Sequence, residues 1–202
     1  LNLAEKTLVI FCSDNGPVLD DGYKDLALEN IGNHRAAGPF AGGKYSVYEG
    51  GTRTPFITRW RGRITPGVSD EMVCTIDLAA SVAALTGARL PNEACLDSMN
   101  VIDALLGKPD AKGRDHLVQQ DNGMRNNYGL RVGNWKLLRH DSKIAYNHQV
   151  ETRLANTKVA RFQLFDLSTD PGETTDLYEK RPEIAKRLTD QLAGIIQSGR
   201  SR

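Results

Sequence analysis

The first half of the chain alternates short apolar segments with helical patterns. Residues 7–11 are apolar on both faces, which is typical of a buried strand in a mainly parallel sheet. Two further segments, residues 54–60 and 71–76, are also predicted to be strands. Asp77 is then placed to cap a helix that continues to about Leu85 and ends at Gly87, and a shorter helix is predicted around Val101 to Leu106. Strands that alternate with helices favour an α/β fold.

The pattern changes after Lys112, where short strand-like segments are joined by polar turns. These segments are HLVQQ, YGLRVG, WKLLRH and FQLFDL. Gly133-Asn134 separates the second segment from the third and predicts a hairpin. A helix with apolar residues on one face begins near Pro182. The second half is therefore predicted to be a small antiparallel sheet packed on a C-terminal helix.

Composition and charge narrow the function only slightly. The chain has 202 residues, a hydrophobic fraction of 40% and a formal net charge of +1. Its basic residues are scattered, so we expect neither nucleic acid nor a membrane as a partner. Its three cysteines, Cys12, Cys74 and Cys95, lack metal-binding spacing. The chain begins at Leu1 rather than at a methionine, so we expect a processed or truncated piece.

Asp14-Asn15-Gly16 directly follows the first predicted strand and opens a long polar stretch. Ligands bind at the carboxyl ends of strands in open α/β sheets, and these Asp and Asn side chains offer two hard oxygen donors there. Such donors suit Ca²⁺ or Mg²⁺ rather than Zn²⁺. The alternative is a plain turn, because this tripeptide is common in turns. A second copy, Asp121-Asn122-Gly123, is interpreted as a turn only.

A glycine-rich segment occupies residues 38–56, GPFAGGKYSVYEGGTRTPF. Gly42-Gly43 would let the backbone approach a ligand closely, and Lys44 offers a mobile positive charge to an anion. Glu49 and Arg53 are predicted to form an internal ion pair that shapes the loop. The segment is not a P-loop, because Lys44 is followed by tyrosine rather than by serine or threonine.

Four segments in order carry a family resemblance. They are VIFCSDNGP, GPFAGGKYSVYEGGTRTPFITRW, ITPGVSDEMVCTIDLAASVAALTGARLP and LFDLSTDPGETTDLYEKRPEIAKRL. Together they resemble the C-terminal part of type I sulfatases, in the arylsulfatase A and N-acetylgalactosamine-6-sulfatase group of the alkaline phosphatase superfamily. The resemblance implies a sulfuric ester hydrolase that acts on sulfate monoesters of sugars or aryl groups. It also implies that residues 1–110 form the C-terminal part of an alkaline-phosphatase-like sheet and residues 111–202 the antiparallel subdomain.

The resemblance implies roles for individual residues. Asp14 and Asn15 would complete the shell of an active-site Ca²⁺, for which Mg²⁺ could substitute. Lys44 would be a catalytic and substrate-binding residue that contacts the sulfate group. His34 lies in a stretch that is longer than in the relatives; it would contact the substrate if that stretch folds over the site, and a surface histidine is the alternative.

Other parts of the family's active site are missing from this chain. The formylglycine nucleophile is made from the Cys or Ser of a C/S-x-P-x-R motif, which this sequence does not contain. Formylglycine, the paired aspartates of the metal site and further sulfate-binding residues are expected only upstream. Asp20-Asp21 is not expected to replace those aspartates. The chain is therefore interpreted as a fragment that is inactive alone and that self-associates through an exposed sheet edge.

Two other functions stay open. A phosphatase or phosphodiesterase of the same superfamily typically carries Asp-His-Gly, and the amide oxygen of Asn15 disfavours its zinc ions. A non-catalytic carbohydrate-binding remnant would bind Ca²⁺ weakly, because the missing carboxylates carry most of the charge. The family makes a periplasmic, secreted or lysosome-like compartment the expected location.

The remaining charged and titratable residues of the second half are interpreted as surface groups. Arg131 and Lys136, on the predicted hairpin, are expected to be solvated. His116, His140 and His148 are likewise expected at the surface.

Overall fold

The computed structural model describes residues 1–122, 126–145 and 157–202. Its strands are β1 (Val9–Cys12), β2 (Phe56–Arg59), β3 (His116–Gln120), β4 (Asn127–Val132), β5 (Trp135–His140), β6 (Ile144–Ala145), β7 (Thr157–Lys158) and β8 (Phe162–Asp166). Its α-helices are α1 (Ala27–Asn30), α2 (Glu49–Thr52), α3 (Leu78–Thr86), α4 (Ile102–Leu105) and α5 (Pro182–Ser198). Two 3₁₀ turns are Ala4–Lys6 and Thr75–Asp77.

The second half of the chain forms the predicted antiparallel sheet, with strand order β3-β4-β5-β8. Gly133-Asn134 makes the turn between β4 and β5, so Val132 lies opposite Trp135 and the hairpin prediction is confirmed. The predicted final helix is α5, and its buried face presents Ala185, Leu188 and Leu192.

The chain divides into two compact units, each made of several segments. The first contains residues 1–12, 56–117 and 193–202, and the second contains residues 13–55 and 118–192. The sequence-based boundary near residue 110 stays a prediction. In the second unit the core joins residues of the glycine-rich segment to residues of the sheet. Its members are Ala41, Val47, Tyr48, Leu138, Ala145, Phe165 and Leu167.

The strands β1 and β2 of the first unit pair antiparallel rather than in the expected parallel arrangement, with Phe11 opposite Ile57. Instead of being buried, this face is exposed at Val9 (48%), Phe11 (65%) and Ile57 (58%). An apolar run indicates that both faces of a strand need cover, but it contains no information about the direction of its neighbour. The prediction of a buried parallel strand is therefore wrong for this pair.

The predicted strand at residues 71–76 is also absent, because the chain turns around the carboxylate of Asp77. That carboxylate accepts the backbone N–H of Cys74 at 3.0 Å and of Met99 at 2.9 Å. It also pairs with the buried Arg114 guanidinium at 2.5 Å. Asp77 precedes α3 as predicted, but its side chain serves these partners instead of capping the helix. Gly87 ends α3 in the left-handed conformation, as predicted.

Among the residues that the structure describes, no helix combines the length and the apolar character that crossing a bilayer requires.

Candidate functional site

Local hydrogen bonds between neighbouring residues shape the Asp14-Asn15-Gly16 loop. The Asp14 carboxylate accepts the backbone N–H of Asn15 at 3.0 Å, and the Ser13 hydroxyl donates to the Asn15 carbonyl at 2.9 Å. The Asn15 side-chain amide donates its N–H to the Gly16 carbonyl at 2.9 Å, which orients its oxygen away from that carbonyl. Asp14 is exposed and Asn15 half-buried. Both side chains therefore present oxygens at the surface of a tight turn.

The glycine of this loop lies directly against the glycine pair of α2. Gly16 donates its backbone N–H to the Gly51 carbonyl at 2.8 Å. A Cβ atom at Gly16 would come within 1.7 Å of the Gly50 carbonyl oxygen, so only glycine fits there. Gly50 in turn donates to the Ala41 carbonyl at 2.7 Å. The two motifs that the sequence singled out are thus in direct backbone contact.

Lys44 belongs to the same assembly, because its backbone N–H donates to the Pro17 carbonyl at 2.9 Å. Its ammonium donates to the Asp21 carboxylate at 2.7 Å and lies 4.9 Å from the centre of the Tyr45 ring. The Tyr45 hydroxyl donates to the other Asp21 oxygen at 2.7 Å. The hydrogen bond from Lys44 lowers the pKa of Asp21, and the reciprocal bond raises the pKa of Lys44. Lys44 is therefore held as a cation at a partly exposed position.

Asp20 and Asp21 take separate roles. Asp21 binds Lys44, and Asp20 accepts the backbone N–H of Gly22 at 3.0 Å in a local turn. His34 lies after α1 with an exposed side chain.

The predicted ion pair between Glu49 and Arg53 is present, with Arg53 Nη1 3.5 Å from Glu49 Oε2. Glu49 also accepts from Arg131 at 3.0 Å and from Lys136 at 2.9 Å. The Lys136 side chain is fully buried and that of Arg131 is 18% exposed, so the prediction that both are solvated is wrong. The hairpin turns these two cations toward a buried carboxylate.

Glu173, which the sequence did not single out, completes this cluster. Its Oε2 accepts the backbone N–H of Glu49 at 2.7 Å, and its Oε1 lies 3.2 Å from Lys136 Nζ in an ion pair without hydrogen-bond geometry. Burial raises the pKa of Glu173 to about 7, and Lys136 and the Glu49 N–H act against that rise. The pKa of Glu49 is lowered: burial alone would raise it, but Lys136 and Arg131 together outweigh burial.

Two of the histidines interpreted as surface groups are buried. His140 is fully buried; its Nε2 lies 3.1 Å from Gln163 Oε1, and burial lowers its pKa to about 4, so the ring is neutral. His116 is 9% exposed, and its Nδ1 is 2.7 Å from the Asp115 carboxylate. The surface prediction is wrong for both, because alternate positions of an antiparallel strand face inward. His148 and Gly123 lie outside the described residues.

The donors of the Asp14-Asn15 loop fit a hard divalent cation in type but not in number. Carboxylate and amide oxygens are the ligands that Ca²⁺ and Mg²⁺ prefer, and Ca²⁺ takes about six to eight of them. Within the described part of the chain, no group of three or more His, Cys, Asp or Glu side chains is placed to hold a metal ion. These residues could thus supply only part of such a shell.

Comparisons with known proteins identify related sequences along most of the chain. The sequence model of the family described as Sulfatase matches residues 1–88. N-acetylgalactosamine-6-O-sulfatase of Bacteroides thetaiotaomicron is 39% identical over 96% of this chain and 37% of its own length. Human arylsulfatase A is 33% identical over 88% of this chain and 34% of its own length. A solved structure from work on glycosaminoglycan metabolism by Bacteroides thetaiotaomicron matches with a TM-score of 0.83 at 38% identity, over 96% of this chain and 39% of that one.

Proposed function

Because the chain belongs to the sulfatase family, we propose that it is the C-terminal part of a sulfuric ester hydrolase that acts on sulfate monoesters of sugars or aryl groups. The mixed α/β architecture and the structural match confirm the predicted fold class, an alkaline-phosphatase-like fold followed by an antiparallel sheet and a helix. The chain spans 37% of the length of its bacterial relative, so the activity proposed is that of a longer protein.

One observation supports this function above the others: two separate sequence motifs meet through their backbones. The Gly16 bond to Gly51 and the Lys44 bond to Pro17 bring two oxygen donors and one ammonium to the same loop assembly. A sulfate ester is an anion that needs positive charge around its oxygens as the S–O bond breaks. Lys44 would supply one such charge, in competition with its ion pair to Asp21.

Asp14 and Asn15 are proposed to supply two oxygens to a Ca²⁺ site, with Mg²⁺ as the substitute ion. The remaining ligands would come from parts of the protein outside this chain, since two donors fall short of a calcium shell. The ion, when bound, would supply positive charge next to the sulfate oxygens. The chain's own contribution is to orient these oxygens through the turn at Gly16 and to keep Lys44 protonated in the same loop assembly.

The substrate class is proposed from the relatives. N-acetylgalactosamine-6-O-sulfatase is the name of the 39% identical protein, which makes a sulfated amino sugar the first substrate to test. The exposed His34 stays a prediction for substrate contact. A periplasmic, secreted or lysosome-like compartment is likewise proposed from the family alone.

The test uses the full-length protein with an aryl sulfate and with N-acetylgalactosamine 6-sulfate. We expect Lys44→Ala to lower kcat/KM about 100-fold or more, in line with the loss of one charge-stabilising group. Lys24→Ala, which removes an exposed lysine from the same polar stretch, is the matched control and should change the rate less than twofold. A wild-type protein that hydrolyses neither substrate, or a Lys44→Ala variant that matches the control, would contradict the proposal.

A further inference from the structure

Five charged side chains, three of them fully buried, form a cluster at the first residue of α2. It contains two carboxylates and three cations: Glu49, Glu173, Lys136, Arg131 and Arg53. Lys136 lies between the two carboxylates at 2.9 and 3.2 Å, and these three side chains are at most 1% exposed. Burying so many charges has a desolvation cost, and apolar residues often fill such space with equal or better stability. Stability alone therefore does not explain why these charged residues are buried here.

The cluster fixes α2 through both the backbone and the side chain of Glu49. Glu173 accepts the N–H of Glu49 at 2.7 Å, which satisfies a donor at the start of the helix. Lys136 and Arg131 hold the carboxylate of the same residue. A helix of four residues has no stability of its own in water. Its position thus depends on these contacts.

The residues that follow Glu49 in α2 are the glycines against which the Asp14-Asn15 loop lies. Gly16 is bonded to Gly51 at 2.8 Å and has no room for a Cβ beside Gly50. A displacement of α2 would therefore displace Gly16 and, with it, the two oxygen donors that precede it.

We propose that Glu173 and Lys136 are positioning residues for the cation-binding loop: through Glu49 they hold the glycine pair of α2, and the glycine pair holds Asp14 and Asn15. This inference rests on the proposed function for the identity of the ligand. The mechanical part, from Glu173 to the loop, rests on the described contacts alone.

Glu173→Gln in the full-length protein tests the proposal, because it removes one charge and keeps the size of the side chain. The matched control is Asp77→Asn in the other unit. Asp77 is also buried, also accepts backbone N–H groups and also pairs with a buried cation, Arg114. The unfolding midpoint of each variant, measured under the conditions of the assay, shows whether that variant is folded.

The two variants should differ at the loop. In Glu173→Gln we expect Ca²⁺ affinity, measured by calorimetry, to fall about tenfold, as when residues that support metal ligands are changed, and excess Ca²⁺ to restore most of kcat. We also expect the amide hydrogens of residues 13–16 to exchange at least about tenfold faster in the absence of metal. Asp77→Asn should leave both quantities within twofold of the wild type.

The possible outcomes distinguish the positioning role of Glu173 from the proposed ligand and function. Unchanged exchange at residues 13–16 in Glu173→Gln overturns the positioning role, whatever the activity. A wild-type protein that binds no Ca²⁺ and hydrolyses no sulfate ester overturns the ligand and the proposed function. If the loop amides still exchange faster in its Glu173→Gln variant, the positioning of the loop by Glu173 is supported. If Glu173→Gln does not fold, Arg131→Met at the partly buried edge of the cluster should show the same changes, about threefold in size, and their absence would overturn the inference.

Discussion

Replacing Gly16 with alanine should disrupt the candidate site more than any other single-methyl change in the loop. The added carbon would lie 1.7 Å from the Gly50 carbonyl oxygen and 2.8 Å from its carbon. A carbon and an oxygen that are not bonded need roughly 3.3 Å, so the loop must move by about 1.5 Å and lose its bond to Gly51. Overpacking costs about 1–3 kcal/mol and a lost hydrogen bond about 1 kcal/mol. We therefore expect the free energy of unfolding to fall by about 2–4 kcal/mol.

Urea unfolding of the full-length protein measures that loss, and the sulfatase rate measures its effect on the site. A displacement of about 1 Å in positioned groups can lower a rate about 100-fold, so we expect a loss of that order in Gly16→Ala. Gly194→Ala, on α5, is the control: its Cβ would meet no atom within 4 Å. There we expect a gain of about 0.5–1 kcal/mol from helix propensity. A Gly16→Ala protein with wild-type stability and rate would refute the close approach of the two motifs.

Three further predictions concern charge and exposed surface. Because the pKa of Glu173 is raised from 4.5 to about 7, its contribution to stability should be largest below pH 4.5 and disappear as pH rises to about 7. The difference in unfolding free energy between wild type and Glu173→Gln, from denaturant titrations at several pH values, should follow that course; a difference independent of pH would contradict it. His140, whose lowered pKa acts in the opposite direction over this range, cancels in the comparison. Asp21→Asn should lower KM for a sulfated substrate, because the Asp21 carboxylate competes with sulfate for Lys44; an unchanged or higher KM would show that Asp21 only positions the lysine. Isolated 1–202 should sediment as more than a monomer and shift toward the monomer on Phe11→Ser, whereas a clean wild-type monomer would show that the exposed face of β1 and β2 does not drive association.

The hairpin shows how far the sequence can predict the buried cluster. Gly133-Asn134 as a two-residue turn places Arg131 directly opposite Lys136. Two like charges at opposed positions of a sheet are unfavourable unless a carboxylate lies between them. The sequence could therefore predict that a carboxylate binds both Arg131 and Lys136. The sequence could not identify these carboxylates, because Glu49 lies in the short helix α2 and Glu173 in a loop, and the positions of both depend on the whole fold.

The sequence predicts those parts of the site that are contained in one short segment of the chain. Asp14-Asn15-Gly16 and the glycine-rich segment stand out by composition, and the structure brings them together at Gly16. Periodicity, in contrast, cannot describe the turn at residues 75–77, because that turn forms around the partners of Asp77, and one of them, Arg114, is 37 positions away in the chain. Similarly, the inward direction of His140 follows from the register of β5, which is set by its neighbours on both sides.

The bond between Glu173 and the Glu49 N–H joins residues 124 positions apart, and this separation has a consequence for how the protein is made. During synthesis the chain emerges from its N-terminal end, so the Asp14-Asn15 loop is exposed long before Glu173 exists. Contacts of such high sequence separation form late, since the intervening chain must first be ordered. A ribosome-stalled chain that ends before Glu173 should therefore hold the loop in an immature state, and the site should acquire its geometry only when the last strand and turn are in place.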